Sequence, residues 1–137
     1  MAKSLSLGHQ QAKAADAVRT FQLVYGVNLF LQVLACVLIL IVPDFGNELV
    51  GTNPHPGIAL WAATVIFVSS LQILGLMDPI QGRWLIVIAL AGRILMTVVA
   101  LALGPEYIRI AIYDGVWAIV LGIFLRRALI AELQTRP

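Results

Sequence analysis

The chain has 137 residues, of which 61% are hydrophobic and 12% are charged, and its formal net charge is +2. Soluble domains are about half apolar and a quarter charged, so this composition leaves too little polar surface to cover a water-soluble globule. The basic residues sit at the ends of apolar runs rather than beside aromatic residues on a polar segment, which argues against nucleic-acid binding and is typical of membrane orientation.

Four apolar stretches of about 20 residues follow one another along the chain. Each is long enough to cross a ~30 Å hydrocarbon layer as a helix, and none alternates in polarity as a membrane strand does. Because backbone amides in lipid must be satisfied within the segment, each stretch predicts a transmembrane helix. The fold class is therefore all-α integral membrane, one domain over residues 1–137, with spans at 20–42, 57–77, 83–103 and 105–125.

The segments between the spans predict how the helices connect. The first connection, 43–56, contains three prolines and two glycines and cannot continue a helix. Asp78–Gly82 predicts a tight turn, and the third connection pivots on Gly104 and Pro105, so the four spans form an antiparallel up-and-down bundle. Before the first span, Ser6–Arg19 either extends the first helix or lies along the membrane surface, and the span is expected to stay attached rather than be cleaved.

The basic residues predict the orientation of the bundle. Seven lysines and arginines fall on one side of the membrane and only Arg109 falls on the other. Cytoplasmic loops collect Lys and Arg, so the N-terminal segment 1–19 and the tail 126–137 are both predicted to be cytoplasmic. The seven residues are Lys3, Lys13, Arg19, Arg83, Arg126, Arg127 and Arg136.

Two opposite charges lie deep within the last two spans. Arg93 is ten residues from the inner end of its span and Asp114 is eleven from the inner end of an antiparallel span. At 1.5 Å per residue these depths are roughly 15 and 16 Å. An unpaired charge at the bilayer centre costs ~2.5–3.5 kcal/mol, so the two residues are expected to pair inside the bundle.

Each helix also carries one small or polar face that is expected to turn toward its neighbours. In the last helix this face is a stripe of small residues that includes Asp114, and small residues let membrane helices approach closely. The polar members in the other helices are Tyr25, Asn28 and Gln32 in the first, Ser69 and Gln72 in the second, and Thr97 beside Arg93 in the third. Together they predict a polar layer near one depth.

The polar layer has two interpretations that the residues leave open. It is either a structural device that fixes helix register, or a site for proton or ion passage or for the polar head of a quinone or lipid. In the second case Asp114 carries the proton and Arg93 is the fixed countercharge, because arginine effectively never deprotonates.

The sequence indicates no disulfide, metal, catalytic or cofactor site. The single cysteine, Cys36, allows neither an intramolecular disulfide nor a thiolate metal cluster. His55, with Asp44 and Glu48, lacks ligand spacing on a rigid element, so no metal site is predicted. No nucleophile–base pair or cofactor motif is present, so the chain is expected to be no enzyme in its own right and to hold no cofactor.

Three short motifs resemble small bacterial membrane proteins of the DoxX-like and BphX-like families. They are Met77-Asp78-Pro79 before the third helix, Ala91-Gly92-Arg93 within it, and Tyr113-Asp114 in the fourth. The resemblance implies a four-helix protein of the bacterial inner membrane that accompanies oxidoreductases or degradative enzymes.

These observations favour a non-catalytic accessory or scaffold subunit of a larger bacterial inner-membrane complex, shaping a lipid or quinone site. The expected partners are that complex or further copies of the chain. The alternative is a small proton-coupled carrier or channel that uses the Arg93–Asp114 pair. Four helices are few for a transporter unless it dimerises.

Overall fold

The computed structural model describes residues 2–42, Asp44, Glu48 and 57–135, and over these residues it contains no strand. The predicted connection 43–56, including His55, otherwise lies outside the described residues, as do residues 136–137. Within these ranges, four helices are long and apolar enough to cross a membrane. The helices are α1 (Ala2–Ile41), α2 (Gly57–Met77), α3 (Arg83–Leu103) and α4 (Ile108–Leu133), the last preceded by a 3-10 turn at Pro105–Tyr107.

Helix α1 is one uninterrupted helix of 40 residues. At 1.5 Å per residue it is about 60 Å long, roughly twice the thickness of a hydrocarbon layer. The segment Ser6–Arg19 therefore continues the first helix and does not form a separate surface helix. Helix α4 likewise runs eight residues beyond the end of its apolar stretch at Leu125, and Ala14 of α1 and Ala128 of α4 are both buried.

Each helix packs against particular neighbouring helices. Helix α1 packs along α2 and α4, α4 packs along α3, and α2 contacts α3. Gln22 of α1 donates from its side-chain amide to the carbonyls of Leu76 and Met77, at 3.0 and 3.2 Å. Carbonyls in the last turn of a helix lack intrahelical partners, so Gln22 satisfies two of these groups of α2.

The turn between α2 and α3 is closed by the side chain of Asp78. Its Oδ1 accepts from the backbone N–H groups of Ile80 and Gln81, at 3.1 and 3.0 Å, which is the turn chemistry that favours aspartate here. A Cβ added to Gly82 would lie only 2.8 Å from the Cα of Gly75. The backbones of α2 and α3 therefore touch at this point, and we call this end of the molecule the turn end.

At the opposite end, which we call the far end, α3 and α4 are joined through Gly104. Its φ of 132° lies in a region that side chains with a Cβ rarely adopt, so glycine suits this position. Pro105 then opens the 3-10 turn, where its missing N–H leaves no donor unsatisfied.

In the described part of the chain, two apolar clusters form the core. The larger lies toward the turn end and joins α1, α3 and α4; its buried members are Phe21, Tyr25, Leu29, Ile86, Leu121, Leu125 and Ala128. The smaller lies toward the far end between α1 and α2; its buried members are Cys36, Ile39 and Ala62. The polar layer predicted from the sequence borders the larger cluster, to which its member Tyr25 belongs, and lies on the side of that cluster that faces the far end.

Candidate functional site

Helix α4 approaches α3 through its small residues. Ala111 and Ala118 are buried, and a Cβ added to Gly115 would meet Thr97 Cγ2 of α3 at 3.4 Å. Close approach of this kind needs small side chains on one helix. It brings the neighbouring Asp114 to the face of α3.

Arg93 of α3 is the centre of a polar cluster that links three helices. Its Nη1 donates to Asp114 Oδ1 of α4 at 2.7 Å, and the two residues form an ion pair. Its Nη2 donates to Asn28 Oδ1 of α1 at 2.7 Å and also to Gln32 Oε1. Arg93 is only 6% exposed, so these bonds replace the water that the guanidinium loses on burial.

Tyr113 belongs to the same cluster, although the sequence interpretation did not place it among the site residues. Asn28 Nδ2 donates to the Tyr113 hydroxyl at 3.5 Å, and Arg93 Cζ lies 5.8 Å from the centre of the Tyr113 ring. The ring also meets Trp117 edge-on, with centroids 6.4 Å apart. The only signal in the sequence was the position of Tyr113 beside Asp114.

A second, smaller polar contact joins α1 to α2. The Tyr25 hydroxyl donates to Gln72 Oε1 at 3.1 Å, and both residues are buried. Two other residues of the predicted layer do not join either group through their side chains. Thr97 Oγ1 donates to the carbonyl of Arg93 in its own helix, and Ser69 Oγ is buried with no hydrogen-bond partner in the described part of the chain.

A cavity of about 690 Å³ lies beside the Arg93 cluster. Its wall is mostly apolar and includes Val65 and Val68 of α2 and Ile88 and Met96 of α3. Five polar residues of the lining come from all four helices, and we call them the cavity floor: Gln32, Gln72, Arg93, Tyr113 and Asp114. An apolar cavity of 300–1,000 Å³ with a few convergent polar groups is typical of a small-molecule site.

The cavity opens sideways between α2 and α3. Ile88 of its wall is 67% exposed and Val68 is 44% exposed, so these side chains stand at the opening rather than inside the core. Toward the turn end, by contrast, the larger apolar cluster fills the space between α1, α3 and α4. The opening therefore leads to the lateral surface of the helices, which lipid contacts in a membrane.

Arg109 is a further charged residue of the cavity lining, near the far end. Its Nη1 donates to the carbonyl of Glu48 at 2.6 Å. Among residues 2–42, 44, 48 and 57–135, no group of three or more His, Cys, Asp or Glu side chains could hold a metal ion. His55 lies outside these residues.

Comparison with protein-family models, with curated proteins and with solved structures found no match to this chain. The resemblance to DoxX-like and BphX-like proteins therefore stays a prediction, and the structure shows only where the three motifs lie. One forms the turn between α2 and α3, and the other two supply Arg93 and Asp114 of the ion pair.

Proposed function

We propose that the protein is a non-catalytic accessory subunit of a larger complex in the inner membrane of a bacterium, and that its cavity receives an amphiphile such as a quinone or a lipid. The observation that carries the proposal is the cavity itself. It has an apolar wall, a lateral opening between α2 and α3, and a polar floor built around Arg93 and Asp114. A molecule with a polar head and an apolar tail matches this distribution of groups.

Occupancy of the cavity is tested by native mass spectrometry of protein purified in mild detergent. Gly92 lines the cavity, and a Cβ added to it would meet nothing within 4 Å. We expect a co-purified amphiphile to be present in the wild-type protein and in Gly92→Ala, but to be lost in Gly92→Phe, whose ring occupies the cavity. Gly92→Ala is the matched control because it also replaces the helical glycine but adds only a methyl group, which leaves the space open. Equal retention by both variants would place the amphiphile elsewhere.

The accessory role is supported by the short connections at both ends of α3. The turn Asp78–Gly82 and the link at Gly104 leave no room for a soluble catalytic domain. Affinity purification in mild detergent followed by mass spectrometry is expected to recover the same larger membrane enzyme in independent preparations. If only the chain itself is recovered, the protein is a homo-oligomer and not a subunit of a larger complex.

The proposal includes an antiparallel bundle with both termini in the cytoplasm. The contact of Gln22 with the end of α2 supports the antiparallel arrangement, and the seven-to-one division of basic residues supports the orientation. In a Cys36→Ser background, Asn47→Cys and Thr52→Cys are expected to react with an impermeant thiol reagent added outside intact cells, whereas Gln134→Cys is not. Labelling of position 134 from outside would reverse the assignment.

A proton-coupled carrier is the second candidate, because Asp114 is an acid that lines the cavity beside a fixed positive charge. The apolar cluster toward the turn end argues against a continuous polar path, which a proton pathway needs. Purified wild-type protein in proteoliposomes is therefore expected to show no proton flux. Robust flux that disappears in a folded Asp114→Asn variant would favour the carrier over the accessory subunit.

A further inference from the structure

The hydrogen bonds within the cavity floor leave specific donors without an acceptor. A guanidinium has five N–H donors. Arg93 uses three of them, toward Asp114, Asn28 and Gln32, and the other two have no acceptor among the described residues. Since Arg93 lines the cavity, a bound molecule can supply the missing acceptor.

The other members of the floor add to this surplus of donors. Gln32 and Gln72 each accept a hydrogen bond through Oε1, while their side-chain NH₂ groups have no acceptor in the described ranges. The Tyr113 hydroxyl accepts from Asn28, and its own O–H has no described acceptor. On the acceptor side, Asp114 Oδ2 is the one carboxylate oxygen of the floor that receives no described donor. Counted by whole atoms that make no described hydrogen bond, the floor has three donor atoms, namely Arg93 Nε and the amide nitrogens of Gln32 and Gln72, against one acceptor atom, Asp114 Oδ2.

The charge of the floor limits which acceptor can enter. Arg93 and Asp114 are its only ionisable pair of opposite sign, and they already compensate each other at 2.7 Å. Arg109, the remaining charged residue of the cavity lining, lies near the far end and not beside this pair. A further charge brought to the depth of the pair would therefore have no counterion there, and uncompensated charges at mid-membrane are strongly disfavoured. An anionic head therefore suits the floor poorly, although it would satisfy the donors.

We propose that the cavity selects an uncharged head that only accepts hydrogen bonds, of the quinone type, over the reduced quinol and over lipids with an anionic head. This inference rests on the proposed function, since it specifies the amphiphile that the cavity holds. A quinone presents two carbonyl oxygens, which match the donors of Arg93, Gln32 and Gln72. The hydroxyls of a quinol can also accept from these donors, but each must in addition place its proton on an acceptor, and the floor has one acceptor atom without a described donor, Asp114 Oδ2, for two protons.

The experiment measures the melting temperature of the purified full-length protein in detergent as ligand is added. A ligand at free concentration c that binds only the folded state stabilises it by RT ln(1 + c/Kd), so the concentration that gives one fixed rise in melting temperature ranks the affinities of the probes. The probes are a benzoquinone with a ten-carbon tail, its quinol kept under anaerobic reductant, and phosphatidylglycerol. We expect the quinone to act at a concentration at least tenfold lower than either other probe, and Gly92→Phe to abolish its effect.

Two variants separate recognition by the floor from general stability. Gln72→Leu removes one free NH₂ group from the floor and is expected to weaken quinone binding about fivefold, the effect of one neutral hydrogen bond. Gln72→Leu also removes the acceptor of the Tyr25 hydroxyl. Tyr25→Phe is therefore the matched control, because it breaks the same contact but leaves the amide in the cavity, and its quinone affinity is expected to stay unchanged.

Two results would overturn the inference. If phosphatidylglycerol or the quinol acts at the same concentration as the quinone or a lower one, and Gly92→Phe abolishes that effect, the head is wrongly assigned but the cavity still holds an amphiphile. If none of the three probes changes the melting temperature, the inference is wrong. The proposed function is then judged separately, by whether an amphiphile co-purifies with the wild-type protein and is lost in Gly92→Phe.

Discussion

Separate substitutions of Arg93 and Asp114 are expected to destabilise the protein by different amounts. Arg93→Met removes the donor for three acceptors, namely Asp114 Oδ1, Asn28 Oδ1 and Gln32 Oε1. Asp114→Leu removes only one of these bonds, and Arg93 keeps both amide oxygens. Breaking a buried ion pair typically costs ~3–5 kcal/mol, so we expect Arg93→Met near the upper end of this range and Asp114→Leu near the lower end.

The double variant distinguishes a pair from two independent residues. Once both charges are gone, no orphaned charge remains, so its destabilisation is expected to fall short of the sum of the single variants by ~0.5–3 kcal/mol. The assay is the free energy of unfolding in mixed micelles titrated with a denaturing detergent. Arg109→Met is the matched control, since Arg109 is exposed and its Nη1 bonds only to the Glu48 carbonyl.

Two outcomes of the unfolding assay would contradict these expectations. Strict additivity of Arg93→Met and Asp114→Leu would mean that the two residues do not interact in the folded protein. A larger loss from Asp114→Leu than from Arg93→Met would mean that the stranded Arg93 charge, which deprotonation cannot neutralise, costs more than the bonds of Arg93 to Asn28 and Gln32 contribute.

Three further substitutions test the packing in the same unfolding assay. Ser69→Ala is expected to leave stability unchanged or raise it by about 1 kcal/mol, because the buried Ser69 hydroxyl has no described partner; a clear loss would reveal one. Gly115→Leu is expected to cost about 1–3 kcal/mol by forcing α4 away from Thr97, whereas Gly115→Ala costs less; equal effects would contradict the close approach. Gly82→Ala is expected to destabilise the folded protein about as much as Gly115→Leu, because the added methyl group meets the backbone of Gly75. If the protein tolerates this change, the backbones are not in contact at the turn.

The helices follow from the sequence because membrane-length apolar runs leave the backbone few other choices. The bounds of α2 and α3 equal those of the predicted stretches 57–77 and 83–103. The extension of α4 to Leu133 could not be read from hydropathy, since the residues after Leu125 are a mixture of charged and apolar helix formers. The proximity of Arg93 and Asp114 was predictable because helical rise alone sets the depth of each residue.

The cavity and the detailed hydrogen bonds could not be derived in the same way. Depth says nothing about how far apart α2 and α3 lie, so the space beside Arg93 has no signature in the sequence. Thr97 shares a face with Arg93, yet its hydroxyl bonds to a carbonyl of its own helix, as threonine side chains in helices often do. Tyr113 enters the cluster because of the rotation of α4 about its axis, which the small-residue stripe defines only to within a residue or two.

The contact between Gly75 and Gly82 holds α2 against α3 at the turn end, while the cavity separates them farther along. The interface between α2 and α3 is therefore closed at the turn and open along the cavity, so the turn fixes one end of the opening. Under the proposed function, the bulkier part of a bound amphiphile is therefore expected on the side of the opening away from the turn, toward Gly104.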